Sequence, residues 1–382
     1  MIQPLVWIVP AADAALPRIF GLTGEERLRR ALPATCEVVA AAALAPNFDT
    51  RAHVVAFRAD HVFDERLVRA LLAAPPCALT SRAGHTVVAA TGPLAAVAQL
   101  LMGAARTSGS LRTIAPDELV PPYTAQLRKR DPALLLPLLP GRERAIEAGL
   151  FDASYKGVTD FVTKYWWPAP ALRVVRTLSR LHVTPNAVTV VSWALVILAT
   201  WLFWRGDHGL GLAAAWLMTF LDTVDGKLAR VTLSSSRLGH VLDHGLDLVH
   251  PPLWYLAFGL SLANPPAWVP LALWVTLGGY LVGRGIEGLF LVLFKLEIHC
   301  WRPLDSWFRL VTARRNPNLL LLTAFTLVGR PALGLGAIAV WTALSIAFHT
   351  VRLLQALGAR ARAGTLHGWH EEGVAPPAQP VQ

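Results

Sequence analysis

Four aspartates, Asp222, Asp225, Asp243 and Asp247, lie in the most apolar half of the chain, within FLDTVDGKLARVTLSSSRLGHVLDHGLDLVHPP (220–252). Carboxylates are costly in a bilayer, and those retained there face cavities, ions or partners. Spacings of three and four put each pair on one helical face. Two consecutive helices can therefore aim all four acids at one locus. Left alone, such acids repel and become partly protonated; divalent cations neutralise a compact set of hard oxygens. Two metals can then clamp opposite oxygens of a phosphorus centre during displacement. Gly226 and Gly239 permit close approach of helix or ligand backbone, Ala229 keeps the same face small, and Arg230 supplies a planar donor fork suited to phosphate. These residues read together as a metal and diphosphate site.

The elements that must hold them follow from composition. Of 382 residues, 54% are hydrophobic and 16% charged, against about 25% charged in soluble globules, and mean hydropathy is +0.45. The bias begins near Pro185. Six spans of roughly 20 apolar residues each are expected near Val188–Trp204, Leu210–Asp225, Val241–Leu262, Val269–Phe294, Leu319–Val328 extended at both ends, and Leu335–Leu354. Lys227, Arg230 and Arg237 follow the second span, and Lys295, Arg302, Arg309, Arg314 and Arg315 the fourth, whereas the opposite loops carry little charge. That asymmetry puts both termini and the acidic locus on the cytoplasmic side of the inner membrane. The net charge of +10 sits in clusters beside apolar runs, so it points to anionic lipid and excludes a nucleic-acid interface. Cys36, Cys77 and Cys300 form no C-x-x-C pair, which excludes a disulfide framework and a zinc site. The start MIQPLVWIVPAADAALPRIF lacks a basic n-region, so the N-terminal half is expected to stay in the cytosol.

Written out, the pattern is D-x2-D-G-x2-A-R-x8-G-x3-D-x3-D from Asp222 to Asp247, preceded by VTPNAVT before the first span. In this the chain resembles the CDP-alcohol phosphotransferases, also called CDP-alcohol phosphatidyltransferases, over its whole membrane half. The resemblance implies a six-helix core that moves a phospho-alcohol group from a CDP-alcohol to an acceptor alcohol or alcohol phosphate, releasing CMP. It also implies a homodimer and two Mg²⁺ or Mn²⁺ ions bound by Asp222, Asp225, Asp243 and Asp247. Asp247 would also act as general base, and Thr189, Gly226, Ala229, Arg230 and Gly239 would border the nucleotide. His240, His244 and His250 read either as further ligands or as locally bonded residues. Arg284 reads either as the partner of Glu287 or as a contact to an acceptor phosphate, and Arg314 and Arg315 read either as further phosphate contacts or as positive-inside anchors. An ion or solute transporter using the acids, or a catalytically silent membrane anchor, are the rival classes. A transporter needs acids or broken helices spread along its pathway, and here they concentrate at one level.

The expected organisation has four parts: an α/β domain (1–150), an interfacial amphipathic helix and linker (151–184), the six-helix domain (185–358) and a disordered tail (359–382). In the first part, PLVWIVP, CEVVAAA, HVVAFRA and HTVVAAT are candidate strands, alternating with GEERLRRAL after the N-cap Thr23, DERLVRALLAA and PLAAVAQLLMGAA as helices. That alternation implies a mostly parallel sheet. The order of elements looks like a sugar-nucleotidyltransferase, with Asp60 at the place of an acidic metal ligand, and the overall layout resembles bifunctional inositol-phosphate cytidylyltransferase and phosphotransferase proteins. VPAADAALPRIFG lacks a glycine-rich turn, and backbone N–H groups could not cradle a triphosphate in the same way. A degenerate, regulatory or scaffolding domain is expected. The linker carries Tyr155, Tyr165, Trp166 and Trp167 beside Lys156, Lys164, Arg173, Arg176 and Arg180, a composition suited to a membrane surface.

Overall fold

The computed structural model describes residues 5–11, 16–39, 53–84, 86–102, 111–235 and 237–371; for 237–238, 240–244, 246–247 and 363 this covers the backbone only. Two compact units result, Met1–Tyr155 grouped with Arg230–Ser234, and Lys156–Ala229 with Ser235–Glu372.

The first unit is α/β. Its order is β1 (Leu5–Val9), α1 (Gly24–Ala31), β2 (Glu37–Val39), β3 (His53–Arg58), β4 (His61–Phe63), α2 (Glu65–Ala73), β5 (Cys77–Thr80), β6 (Val87–Pro93), α3 (Leu94–Met102), β7 (Arg112–Ile114), α4 (Pro116–Leu119), β8 (Tyr123–Thr124), β9 (Lys129–Arg130), β10 (Leu135–Pro137) and α5 (Glu143–Ala153). Six strands form one sheet in the order β2-β1-β3-β6-β5-β7. β6 runs antiparallel to both neighbours and the remaining pairings are parallel. Alternate residues of β1 feed two cores: Val6 and Ile8 join Leu28, Leu67 and Leu71 of α1 and α2, while Trp7 and Val9 join Leu94 and Val97 of α3. With both faces covered, the strands read as continuous apolar runs.

The four candidate strands are β1, β2, β3 and β6, although residues 40–52 after β2 lie outside the described part. β5 and β7 were not legible as strands, because runs of three or four residues are too short to display a period. Thr23 caps α1 as expected: its Oγ1 accepts from Glu26 N at 3.1 Å, and Thr23 N donates to Glu26 Oε2 at 2.7 Å, a reciprocal pair that satisfies two helix-end donors. A Cβ on Gly24 would lie 1.8 Å from Ala59 O, so only glycine lets α1 start this close to the chain after β3. The connector after Val120 contains the β8–β9 hairpin, and β10 pairs with β4, before α5.

The second unit is helical. A π-helical turn (Val162–Trp166) leads to α6 (Pro168–Arg180), α7 (Pro185–Trp204), α8 (His208–Val231), α9 (Arg237–Leu260), α10 (Val269–Phe294), α11 (Pro303–Arg309), α12 (Arg315–Leu327) and α13 (Pro331–Ala363). α6 buries Ala171, Val175 and Ser179 on one face and exposes Arg173 and Arg180 on another, and Trp167 before it packs edge-on to Phe220 of α8 at 5.1 Å. α10 and α13 approach closely where Gly279 abuts Thr342 and Ile346, since a Cβ there would meet Thr342 Cγ2 at 2.4 Å. Phe203, Met218, Trp254, Phe258, Leu319, Leu335 and Ile338 form the central core, while Trp201, Trp204, Leu271, Trp274, Leu281 and Val340 point outward.

Helices apolar inside and out belong in lipid. Among the described residues, Pro185–Trp204, Val269–Phe294 and Pro331–Arg362 are long and apolar enough to cross a membrane. α8 and α9 carry the charged motif, and α12 has 13 residues, about 20 Å at 1.5 Å per residue, against a hydrocarbon core of about 30 Å. The fifth expected span therefore extends only toward its N-terminus, and it stops where Gly329 (φ 70°) and Pro331 end the helix.

The expected disordered tail is corrected over its first part. Residues 359–363 continue α13, and Trp369 returns to donate its Nε1–H to Ser306 Oγ at 2.9 Å. A part-buried indole contact offsets the entropy that would otherwise leave a terminus loose. Residues 372–382 lie outside the described part.

Candidate active site

α8 positions the first acid pair. Asp222, Asp225, Gly226 and Ala229 recur at three- and four-residue intervals, which gives one stripe along the helix. Asp225 is 4% exposed and accepts from Thr189 Oγ1, itself buried, at 2.6 Å. Thr189 stands in the first turns of α7, where Thr184 caps the helix by accepting from Ala187 N and Pro185 occupies the first turn. The P-N-x-x-T element thus does two local jobs: it starts α7, and it aims Thr189 at Asp225 across 36 residues of sequence. Asp222 Oδ2 accepts from Arg315 Nη2 at 2.6 Å, with both side chains largely buried.

Gly239, Asp243 and Asp247 fall at four-residue intervals on α9, again one stripe of the helix. The side chains of Asp243, Asp247, His240 and His244 lie outside the described part. His250 is buried, with its ring 4.6 Å from that of Trp254. Lys227, expected after the second span among the basic residues of the inner side, is 3% exposed. It lies within α8 rather than after it, because α8 continues to Val231.

The start of α12 gathers the arginines. Arg314 is paired with Glu287 of α10, to which Arg284 also donates at 2.8 Å and His299 lies at 3.2 Å. Burial, the largest influence on His299, holds it well below the usual imidazole range despite Glu287. The ring therefore meets Glu287 as a neutral group. Arg284 and Arg314, both expected near an acceptor phosphate, thus share one carboxylate, and Arg315 faces a different acid. Neither the Arg315–Asp222 pair nor the convergence on Glu287 was foreseen beyond the local Arg284–Glu287 spacing. Asp160 was overlooked altogether. It accepts from Asn316 Nδ2 at 2.9 Å and Thr163 N at 3.0 Å; burial pushes its carboxyl up, but Arg309 and these bonds outweigh that and hold it below the ordinary value. Its tertiary partner Asn316 lies 156 residues away, so local spacing does not announce the contact.

In the first unit, Asp60 lines a cavity of about 590 Å³ together with His61, Ser81, Arg82 and Thr86. Its carboxylate is engaged by Arg58 and by His61 Nδ1 at 2.7 Å. Burial raises its pKa, yet the His61 and Arg58 hydrogen bonds outweigh that and leave it well below the usual range. Residues 12–15 of the expected nucleotide loop lie outside the described part.

Buried hard-oxygen donors on one stripe of α8, with a hydroxyl bonded to one of them, suit Mg²⁺ or Mn²⁺ rather than a soft metal. Part of the chain is similar to known proteins. The family model for CDP-alcohol phosphatidyltransferase matches residues 182–296. An archaetidylinositol phosphate synthase of Pyrococcus horikoshii is 35% identical over 78 residues, 20% of this chain and 42% of that protein. A phosphatidylinositol phosphate synthase of Mycobacterium marinum is 34% identical over 93 residues, 22% of this chain and 40% of that protein. The chain thus spans about two fifths of the length of the curated relatives it matches. The crystal structure of Mycobacterium tuberculosis phosphatidylinositol phosphate synthase in complex with manganese and citrate is also similar, with 20% identity and a TM-score of 0.40 over 48% of this chain and 88% of that one.

Proposed function

We propose that this chain, which carries a CDP-alcohol phosphatidyltransferase domain at residues 182–296, transfers a phospho-alcohol group from a CDP-alcohol to an acceptor alcohol or alcohol phosphate and releases CMP. The observation that carries this reading is the complete pattern from Asp222 to Asp247 on two consecutive helices, with Asp225 buried against Thr189.

Asp222, Asp225, Asp243 and Asp247 would hold two Mg²⁺ or Mn²⁺ ions. When bound, the metal neutralises charge on the transferring phosphoryl oxygens. Thr189 orients Asp225, since its hydroxyl donates to one carboxylate oxygen and fixes it in place. Gly226, Ala229 and Gly239 leave room for the cytidine and diphosphate, and Arg230 binds a phosphate through its fork. Asp247 takes the proton of the acceptor hydroxyl. The hydroxyl oxygen bonds to the donor's β-phosphorus as that atom's bond to the bridging oxygen breaks, and CMP departs. Arg315, and through Glu287 the pair Arg284 and Arg314, belong to the acceptor side. Three apolar helices support a membrane setting, and the proposal extends to six crossings, both termini in the cytoplasm, a homodimer, and a 1–150 nucleotidyltransferase-like domain with a regulatory or scaffolding role.

The test uses full-length protein in detergent or nanodiscs with Mn²⁺, a panel of CDP-alcohols including CDP-diacylglycerol, and candidate acceptors, following CMP. Turnover that is absent with every donor, or undiminished in Asp247→Asn, overturns the reading.

A further inference from the structure

α8 ends without a glycine. Its last residue, Val231, is followed by Thr232, Leu233 and Ser234, and Leu233 makes the left-handed turn at φ 52°. That conformation crowds a Cβ, and a residue other than glycine keeps it only where its surroundings fix it. The last carbonyls of a helix also need donors from outside the helix. α1 answers both needs. Arg27 Nη1 donates to Val231 O at 2.8 Å, and Arg30 Nη1 donates to Thr232 O at 2.8 Å. Leu233 packs against the core that contains Leu28, Ala31 and Leu32. The segment Arg230–Ser234 accordingly belongs to the first unit.

Arg27 is 5% exposed although it carries a charge. A buried guanidinium is retained where it has an acceptor, and the negative end of a helix dipole is a suitable one. α1 is anchored independently of α8, by the exchange of hydrogen bonds between Thr23 and Glu26 and by the burial of Leu28 and Ala31.

The grip falls beside a residue with a proposed task. Arg230, whose fork is assigned to the diphosphate, directly precedes Val231 in the last turn of α8. Asp222 and Asp225 lie more than a turn further into the helix, away from the end that frays. We infer that Arg27 and Arg30 are positioning residues for Arg230. By closing the end of α8 they hold its guanidinium ready for a cytidine diphosphate group, so the N-terminal domain contributes to donor binding through the backbone of Val231 and Thr232. The inference rests on the diphosphate role proposed for Arg230, and it gives the proposed scaffolding role of residues 1–150 its contacts.

The experiment uses full-length protein in nanodiscs and measures, by calorimetry, binding of cytidine 5′-diphosphate in saturating Mn²⁺ and binding of Mn²⁺ alone. Arg27→Met, which removes the donors and keeps much of the volume, is expected to weaken the nucleotide at least about fivefold, the lower end of coupling between sites, with Mn²⁺ affinity within about twofold of wild type. Arg27→Lys, which keeps a charged donor, is expected to recover most of the loss. Hydrogen exchange in Arg27→Met is expected to accelerate over residues 228–233 while β1 and β3 stay protected. Arg30→Gln, at an exposed position, is expected to weaken the nucleotide at least about twofold, and it carries the test should the buried substitution prevent folding. Unchanged nucleotide affinity in these variants, an equal loss of Mn²⁺ affinity, or a loss that Arg27→Lys does not recover overturns the inference and leaves the role of Arg230 intact. Undiminished nucleotide binding in Arg230→Gln, or none in the wild type, overturns both.

Discussion

Asp60 in the α/β unit and Asp222 in the helical unit are both partly buried acids facing an arginine, yet their partners come from different distances. Asp60 is held by Arg58 and His61, its own near neighbours at the turn between β3 and β4. Asp222 is held by Arg315, from another helix. A partner two residues away is delivered by the same local backbone, whereas a partner on another helix depends on how the helices pack.

The largest effect that would break this contrast is on turnover. Asp225→Asn and Asp222→Asn are each expected to slow CMP release by at least about a thousandfold, because the proposed metal site would supply several kcal/mol and each ~1.4 kcal/mol is tenfold. Asp60→Asn is expected to leave the rate within about twofold in the same assay. An equal loss in the Asp60 variant would show that the local lock hides a working acid.

Stability changes come next. Gly24→Ala forces a Cβ onto Ala59 O and is expected to cost about 3 kcal/mol, the upper end of overpacking. Hydrogen exchange should show the loss in the first unit, with CMP release by the folded protein unchanged. Glu287→Gln leaves Arg284, Arg314 and His299 without their shared carboxylate. Because Arg284 is 35% exposed, the full cost of breaking a buried pair does not apply, and about 2 kcal/mol is expected in the melting of the helical unit.

The smallest effects are in pH dependence, and they separate the two units. Asp60 has a folded pKa below its unfolded one, so its contribution is present above about pH 4 and is lost as pH falls below that. His299 is also depressed; its neutral form suits the fold, and the helical unit loses stability as pH falls through about 6.5. Region-resolved hydrogen exchange from pH 7 downward should show the helical unit loosening first. Asp60→Asn and His299→Gln should each flatten the slope of its own unit only.

Much of this was legible because it is local. The Thr23–Glu26 capping box, the P-N start of α7 and the acid stripes on α8 and α9 depend on residues within a turn or two of each other, and helix geometry fixes their relation. β5 and β7 escaped because their pattern is shorter than a period. The burial of Lys227 escaped because the length of α8 depends on what packs around its end. The return of Trp369 to Ser306 escaped because nothing near Trp369 announces a partner 63 residues earlier.

By itself the sequence determined that four acids lie on two helical stripes in an apolar setting, with glycines, an alanine and an arginine at the intervals a diphosphate site needs. Spacing along one helix is a covalent matter. Only the tertiary structure decided which donor answers which acid: Arg315 to Asp222, Arg284 and Arg314 to Glu287, Asn316 to Asp160. Those pairings join helices far apart in the chain, and the packing of apolar side chains, which is insensitive to the identity of any one charge, sets which charges meet.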